Sequence, residues 1–270
     1  MSFRAASAWS YAAILAVASV GPAQQGEPSA APTKKVLVEL YTSQGCDSCP
    51  SANDLLGRLA AMGYGPDQVV PIAFHVDYFN TPWVDPFSKR EYSQRQLSYN
   101  AVLKRNDLYF TPMMMVDGRY PMLGSNRPEA VAAIGKSLKG RPGVAIKIAL
   151  DGPKGEKEAR VDLAKFAPEL EGRNLMVGLA LTEGPIATEV PSGENAGKTL
   201  VEPHVVRSFA YKNFKPAGRE PRTMTFPLKL AGDSKPGRCR VSAWVQDAEN
   251  GKVYQAESIA WDGARAVAGR

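Results

Sequence analysis

An apolar run, Val36 to Leu40, opens into a short loop that delivers Cys46-Asp47-Ser48-Cys49; Pro50 and a helical pattern over Ser51–Met62 follow at once. Residues i and i+3 on a first helical turn share a face and lie within reach of a disulfide. The first cysteine of such a pair meets unpaired backbone N–H groups and the positive end of the helix dipole, both of which favour thiolate over thiol. Pro50 agrees with a helix start, because a first-turn proline removes only an N–H that has no helical partner. A strand, a turn and two cysteines at this spacing read as a redox-active dithiol.

At 270 residues the chain suits one large domain or two ordinary ones. Its net charge of +6 is spread thinly, with no basic run longer than two residues, so the footprint of a nucleic-acid binder is missing. Residues 1–23 read as an export signal: Arg4, an apolar run from Ala8 to Val20, then small residues up to Ala23. Residues 24–33 (QQGEPSAAPT) read as a flexible tether. The mature chain is therefore expected to be periplasmic or secreted, without a transmembrane segment, in a compartment where a dithiol can persist as a disulfide. Of the three cysteines, Cys46 and Cys49 pair naturally; Cys239, in a strand-like run, reads as a small buried hydrophobe.

After the first helix, Val69–Val76 (VVPIAFHV) reads as a second buried strand, with His75 and Asp77 on one face. Asp85-Pro86 reads as a helix start, Asp as N-cap, for a sparsely apolar surface helix running to about Asn106. Tyr109-Phe110-Thr111-Pro112 precedes a strand over Met113–Val116, an Asp117-Gly118 hairpin turn and a return strand. A helix over Arg127–Lys139 closes this half, and Gly140-Arg141-Pro142-Gly143 is the natural boundary.

The order strand, CxxC helix, strand, helix, Thr-Pro, hairpin, helix resembles the thioredoxin fold. More narrowly, VELYTSQGCDSCPSAN, AFHVDYFN, DPFSKREYSQRQ, YFTPMMMVDGR and GENAGKTL resemble an exported bacterial thioredoxin-like family known only as domain-of-unknown-function family 1223, over roughly residues 34–262. The resemblance implies Cys46 as nucleophilic cysteine, Cys49 as resolving cysteine, and Pro112, with Thr111, as the cis-proline element beside the dithiol. It places Glu39 close to the buried carboxylate that shuttles protons in thioredoxins, although the loop from Glu39 to Cys46 is one residue longer than the thioredoxin pattern. Gly45 stands where thioredoxins carry an aromatic residue, and the inner dipeptide is Asp47-Ser48. An acid between the cysteines opposes the helix dipole, so Cys46 is expected to be less acidified than the lowest of the roughly 3.5–7.5 range of such motifs.

Beyond the boundary, strand patterns at Val144–Leu150, Ala159–Leu163, Met176–Leu181, Thr199–Phe209, Met224–Leu230, Cys239–Val245 and Lys252–Trp261 alternate with Gly/Pro-rich turns, the signature of an antiparallel sandwich. Gly193-Glu194-Asn195-Ala196-Gly197-Lys198-Thr199 imitates a phosphate-binding loop but has three residues between its glycines where four are needed, and strand signals follow it. It reads as a hairpin loop. The expected architecture is thus an α/β thioredoxin-like domain (34–141) followed by an all-β, sandwich-like domain (143–262) and a tail (263–270).

Three readings of the dithiol stay open. The first is thiol–disulfide exchange with exported protein thiols or disulfides through Cys46 and Cys49, with Thr111, Pro112 and Glu39 in support and no cofactor. The second is a copper carrier using Cys46, Cys49 and His75. The third is a non-catalytic binding protein stapled by a structural disulfide.

Overall fold

Strand β1 (Val36–Thr42) is buried along its whole length, as a continuous apolar run requires when both faces of a sheet are covered. Val36, Val38 and Leu40 pack with residues of helix α1 (Cys49–Arg58) and helix α3 (Arg127–Leu138), while Leu37 and Tyr41 pack with Tyr92 and Tyr99 of helix α2 (Arg90–Leu103). The protein is described by a computed structural model covering Met1 and residues 33–262. The rest of the expected export signal, the tether up to residue 32 and the tail 263–270 lie outside the described residues.

Strands β2 (Val69–His75), β3 (Met113–Val116) and β4 (Tyr120–Leu123) complete the first half. The second half supplies β5 (Ala145–Asp151), β6 (Glu156–Ala164), β7 (Leu175–Glu183), β8 (Ile186–Glu189), β9 (Thr199–Glu202), β10 (Val205–Phe214), β11 (Arg222–Lys229), β12 (Cys239–Asp247) and β13 (Val253–Ala260). One eight-stranded mixed sheet runs β13-β12-β7-β10-β2-β1-β3-β4, beside a three-stranded sheet β11-β6-β5 and a ribbon β8-β9. β1 is parallel to β2 and antiparallel to β3, and the join between the halves is the parallel pairing of Val205 on β10 with Ala73 on β2.

This topology corrects the expected architecture of an α/β thioredoxin-like domain followed by a separate all-β domain. The described residues hold thirteen strands and three α-helices, and the main sheet passes straight through the expected boundary. The physical reason is the edge of β2. A buried strand edge left without partners costs its backbone hydrogen bonds, and β10 supplies them, with Ala73 N–H donating to His204 O at 2.9 Å. The small sheet packs on the far part of this mixed sheet, where Val161, Leu163 and Phe226 share one core with Val177, Leu179, Val241 and Val245.

Two elements differ from expectation for identifiable reasons. Helix α2 begins at Arg90, not Asp85, because the Asp85 carboxylate caps a separate turn at Phe87 N (2.9 Å) and is held by His75. Nor does α2 lie on the surface: its buried face is Tyr92, Ser93, Arg95, Gln96 and Tyr99, mostly polar and so invisible to an apolar pattern. The expected strand Thr199–Phe209 is broken between β9 and β10, where His204 adopts a left-handed φ of 53°. The Asp117-Gly118 turn forms as read, with φ of 49° and 65°. A Cβ on Gly118 would fall 1.9 Å from Gly251 O, so only glycine fits.

Candidate functional site

The loop after β1 turns back on itself, Cys46 N–H donating to Ser43 O (3.3 Å) and Cys49 N–H to Cys46 O (3.2 Å), so that Cys49 opens α1 with Pro50 in its first turn. A Cβ on Gly45 would lie 2.6 Å from Phe79 O, which explains why no aromatic residue precedes Cys46 here. Cys46 and Cys49 are free thiols, 2% and 0% exposed. The Cys46 sulfur lies 3.2 Å from Ser48 Oγ.

The two sulfurs are electrostatically unequal. The Cys49 thiol donates to Cys46, and with the hydroxyls of Ser48 and Thr111 and the Ser48 N–H it outweighs desolvation, lowering the Cys46 pKa to about 6. Burial, and then the neighbouring Cys46 sulfur, push the Cys49 thiol strongly up. The pair is thus biased toward a thiolate at Cys46 and a protonated thiol at Cys49. Asp47, between the two cysteines, is exposed.

The Thr111 hydroxyl, buried and without a hydrogen-bond partner of its own, comes from across the fold close enough to favour the charged form of the Cys46 sulfur. The Thr111–Pro112 bond is cis. Pro112 is set against α1: a Cβ on Gly124 would meet both Ala52 Cβ (2.9 Å) and Pro112 Cβ (3.0 Å), and Gly124 N–H donates to Pro112 O at 2.9 Å. The structure thus brings Cys46, Cys49, Thr111 and Pro112 together.

Glu39 is elsewhere. Alternation along β1 turns it, with Leu37 and Tyr41, to the α2 face, opposite the face on which α1 packs. There Oε1 accepts from Arg95 Nε (2.7 Å) and Tyr41 OH (3.0 Å), and Oε2 from Tyr99 OH. The Arg95 guanidinium is boxed by Trp244 (5.1 Å to the ring centre), Phe209 (5.3 Å), Phe74 and Tyr99, contacts that suit a desolvated cation.

His75 is not turned to the thiols either. Its Nδ1 lies 2.7 Å from Asp85 Oδ2, and its Nε2 faces Glu202 Oε1 at 3.9 Å. Burial opposes the charge on His75, but the Asp85 and Glu202 carboxylates outweigh it and raise its pKa to about 9. Asp77, read as sharing a strand face with His75, bonds Ser93. Among the described residues no group of three or more His, Cys, Asp or Glu side chains converges on a metal position, so the copper set Cys46, Cys49 and His75 is not assembled.

The loop carries further partners that the sequence did not disclose. Gln44 N–H donates to Asp85 (2.9 Å), Gln44 Nε2 to Glu202 (2.6 Å), and Trp83 Nε1 to Gln44 Oε1 (3.0 Å). The phosphate-loop imitation Gly193–Thr199 lies against the dithiol loop: Asn195, fully buried, donates from Nδ2 to both Gln44 O and Cys46 O at 2.9 Å, and Asp47 N–H donates to Glu194 Oε2 at 2.9 Å. These pairs are some 150 residues apart in sequence, and no local signal marks them.

A family model described as "Protein of unknown function (DUF1223)" matches residues 37–246. No curated protein matches the chain. Among solved structures it is similar to the protein AGR_C_4864 from Agrobacterium tumefaciens (22% identity, 88% of this chain and 98% of that one, TM-score 0.61). It is also similar to HBP35 of Porphyromonas gingivalis (19% identity, 88% and 79%, TM-score 0.68). At these identities the likeness is one of fold. No described helix is long and apolar enough to cross a membrane.

Proposed function

For a chain that belongs to the DUF1223 family, a family of unknown function, we propose thiol–disulfide exchange with exported polypeptides as the activity. A fold alone assigns no chemistry, so the reading rests on the site. The observation that carries it is the geometry of an unequal pair: two free thiols at the start of α1, near the cis Thr111–Pro112 bond, the first sulfur's pKa lowered to about 6 and its partner's pushed up. A structural disulfide needs no such asymmetry, whereas exchange needs an attacking thiolate and a resolving thiol held in reserve.

In the reducing direction the Cys46 thiolate attacks one sulfur of a substrate disulfide. That S–S bond breaks, a mixed disulfide with Cys46 forms, and the departing substrate sulfur leaves as a thiolate that takes up a proton. Cys49 then gives up its proton and attacks the Cys46 sulfur, forming the Cys46–Cys49 disulfide and releasing the second substrate thiolate. The substrate is reduced by two electrons and the protein oxidised by two; the same steps in reverse oxidise a substrate dithiol. Thr111, beside Pro112, is one of the groups that favour the charged form of the attacking sulfur. The export signal read over residues 1–23 supports a substrate pool outside the cytoplasm.

Trapping tests this reading. The full chain with Cys49→Ala, expressed with its signal, is expected to accumulate mixed disulfides that collapse on reduction and disappear in the Cys46→Ala/Cys49→Ala double variant. A chain that traps no partner and reduces no disulfide-bonded protein in vitro would refute it.

A further inference from the structure

One continuous stretch of the second half, Gly193–Glu202, takes hold of the dithiol loop at four points. Asn195 Nδ2 bridges the carbonyls of Gln44 and Cys46, Glu194 accepts from Asp47 N–H, and Glu202 accepts from Gln44 Nε2 at 2.6 Å. Asn195 is itself fixed, its Oδ1 accepting from Lys198 Nζ at 2.9 Å. Behind it the chain runs alongside α1, where a Cβ on Gly57 would meet Pro203 Cγ at 3.2 Å. Carbonyls buried beneath a loop need donors, and Asn195 provides one side chain for two of them. Glu194 does something different. It is exposed and satisfies no buried group, yet its carboxylate sits on the first amide after Cys46, at the helix end where a negative sulfur develops.

We propose that Gly193–Glu202 is a positioning element for the dithiol: Asn195 and Glu202 set the conformation of the loop that carries Cys46, and the Glu194 carboxylate opposes negative charge on the Cys46 sulfur. A full negative charge beside a helix N-terminus occupies the place that would otherwise stabilise the thiolate. The titratable and charged groups around the sulfur are Cys49 and Asp47 on its own loop, Tyr78 on the segment after β2, and Glu194 and Lys198 on the second-half loop. Of these, Glu194 is the one whose charge is brought to the loop by a hydrogen bond from the other half of the chain. The reactivity of the first-half cysteine is thereby set by second-half residues, a consequence that rests on the exchange reading while its measurement does not.

The test is the pH dependence of Cys46 alkylation by iodoacetamide in the full chain. Cys239, pushed up to about 11 by burial and the Glu183 carboxylate, stays outside the window, as does Cys49. Glu194→Gln keeps an acceptor and removes the charge; it is expected to lower the alkylation midpoint by roughly half a pH unit. The shift should shrink in about 1 M salt, where the screening length falls to about 3 Å. Asn195→Ala is expected to speed hydrogen exchange at the Cys46 and Cys49 amides by roughly tenfold. Midpoints within about 0.1 pH unit of the parent for both Glu194→Gln and Glu194→Ala would overturn the electrostatic role, and unchanged exchange in Asn195→Ala would overturn the positioning role. If the midpoint moves while Cys49→Ala traps nothing and the parent chain reduces no disulfide-bonded protein, the exchange reading falls and the electrostatic role of Glu194 stands; if trapping succeeds with the midpoint fixed, exchange stands and that role falls.

Discussion

The dithiol at the end of β1 and the Glu39–Arg95 pair on the α2 face of the same strand handle negative charge in opposite ways. At Cys46 the charge is held by neutral donors: a thiol, two hydroxyls and one backbone N–H. At Glu39 it is met by a full cation inside an aromatic box. Neutral donors lower the cost of the charge without consuming it, so the sulfur stays available to attack. An ion pair consumes the charge, and what it leaves is architecture. Arg95 Nη2 also donates to Gln246 on β12 at 3.1 Å, tying the first half to the second.

That contrast is broken most forcefully at Arg95. Arg95→Met leaves Glu39 buried without its counter-charge and is expected to cost about 3–5 kcal/mol of stability in urea unfolding, while adding Glu39→Gln should recover much of the loss. A loss below about 1 kcal/mol would mean the pair is incidental. Next in size is His75, a second charge held for structure. Its folded pKa lies above the unfolded value, so its contribution is complete below pH 6.5 and lost as pH rises through about 9. At roughly 1.4 kcal/mol per pH unit, the rise from 6.5 to about 9 contributes about 3 kcal/mol. Thermal midpoints should fall between pH 7 and 10, and His75→Gln should flatten that fall. Smallest is Thr111→Val, which removes one neutral donor and keeps the shape. It should raise the Cys46 alkylation midpoint by roughly half a pH unit, with stability changed by less than about 1 kcal/mol. A larger stability loss without a moved midpoint would put Thr111 on the architectural side of the comparison.

What could be read along the chain was what local chemistry encodes. The β1 run, the CxxC spacing with Pro50, the Asp117-Gly118 turn and α3 appear near their expected positions, because periodicity and turn chemistry act over a few residues. Met113, Met114 and Met115 are fully buried, as their place on a strand between the helices demands. What escaped depended on distance. Arg95 and Gln96 made α2 look like a surface helix, since a polar side chain shows its partner only after folding. Asp85 read as an N-cap because an acid before proline serves that purpose, whereas here it serves His75 and Gln44. The joining of β10 to β2 had no local trace, and Glu39 was led astray by strand alternation: a shift of one residue turns a side chain to the other face.

The seam at Val205 and Ala73 bears on how such a chain can be inherited. The residues that close the sheet and those that grip the cysteine loop are consecutive, so a hybrid that drew residues 34–141 from one parent and 193–206 from another would separate a lock from its key. For this chain, recombination is expected to be tolerated best where those two stretches travel together, and a substitution at Gln44 is expected to require one at Glu202.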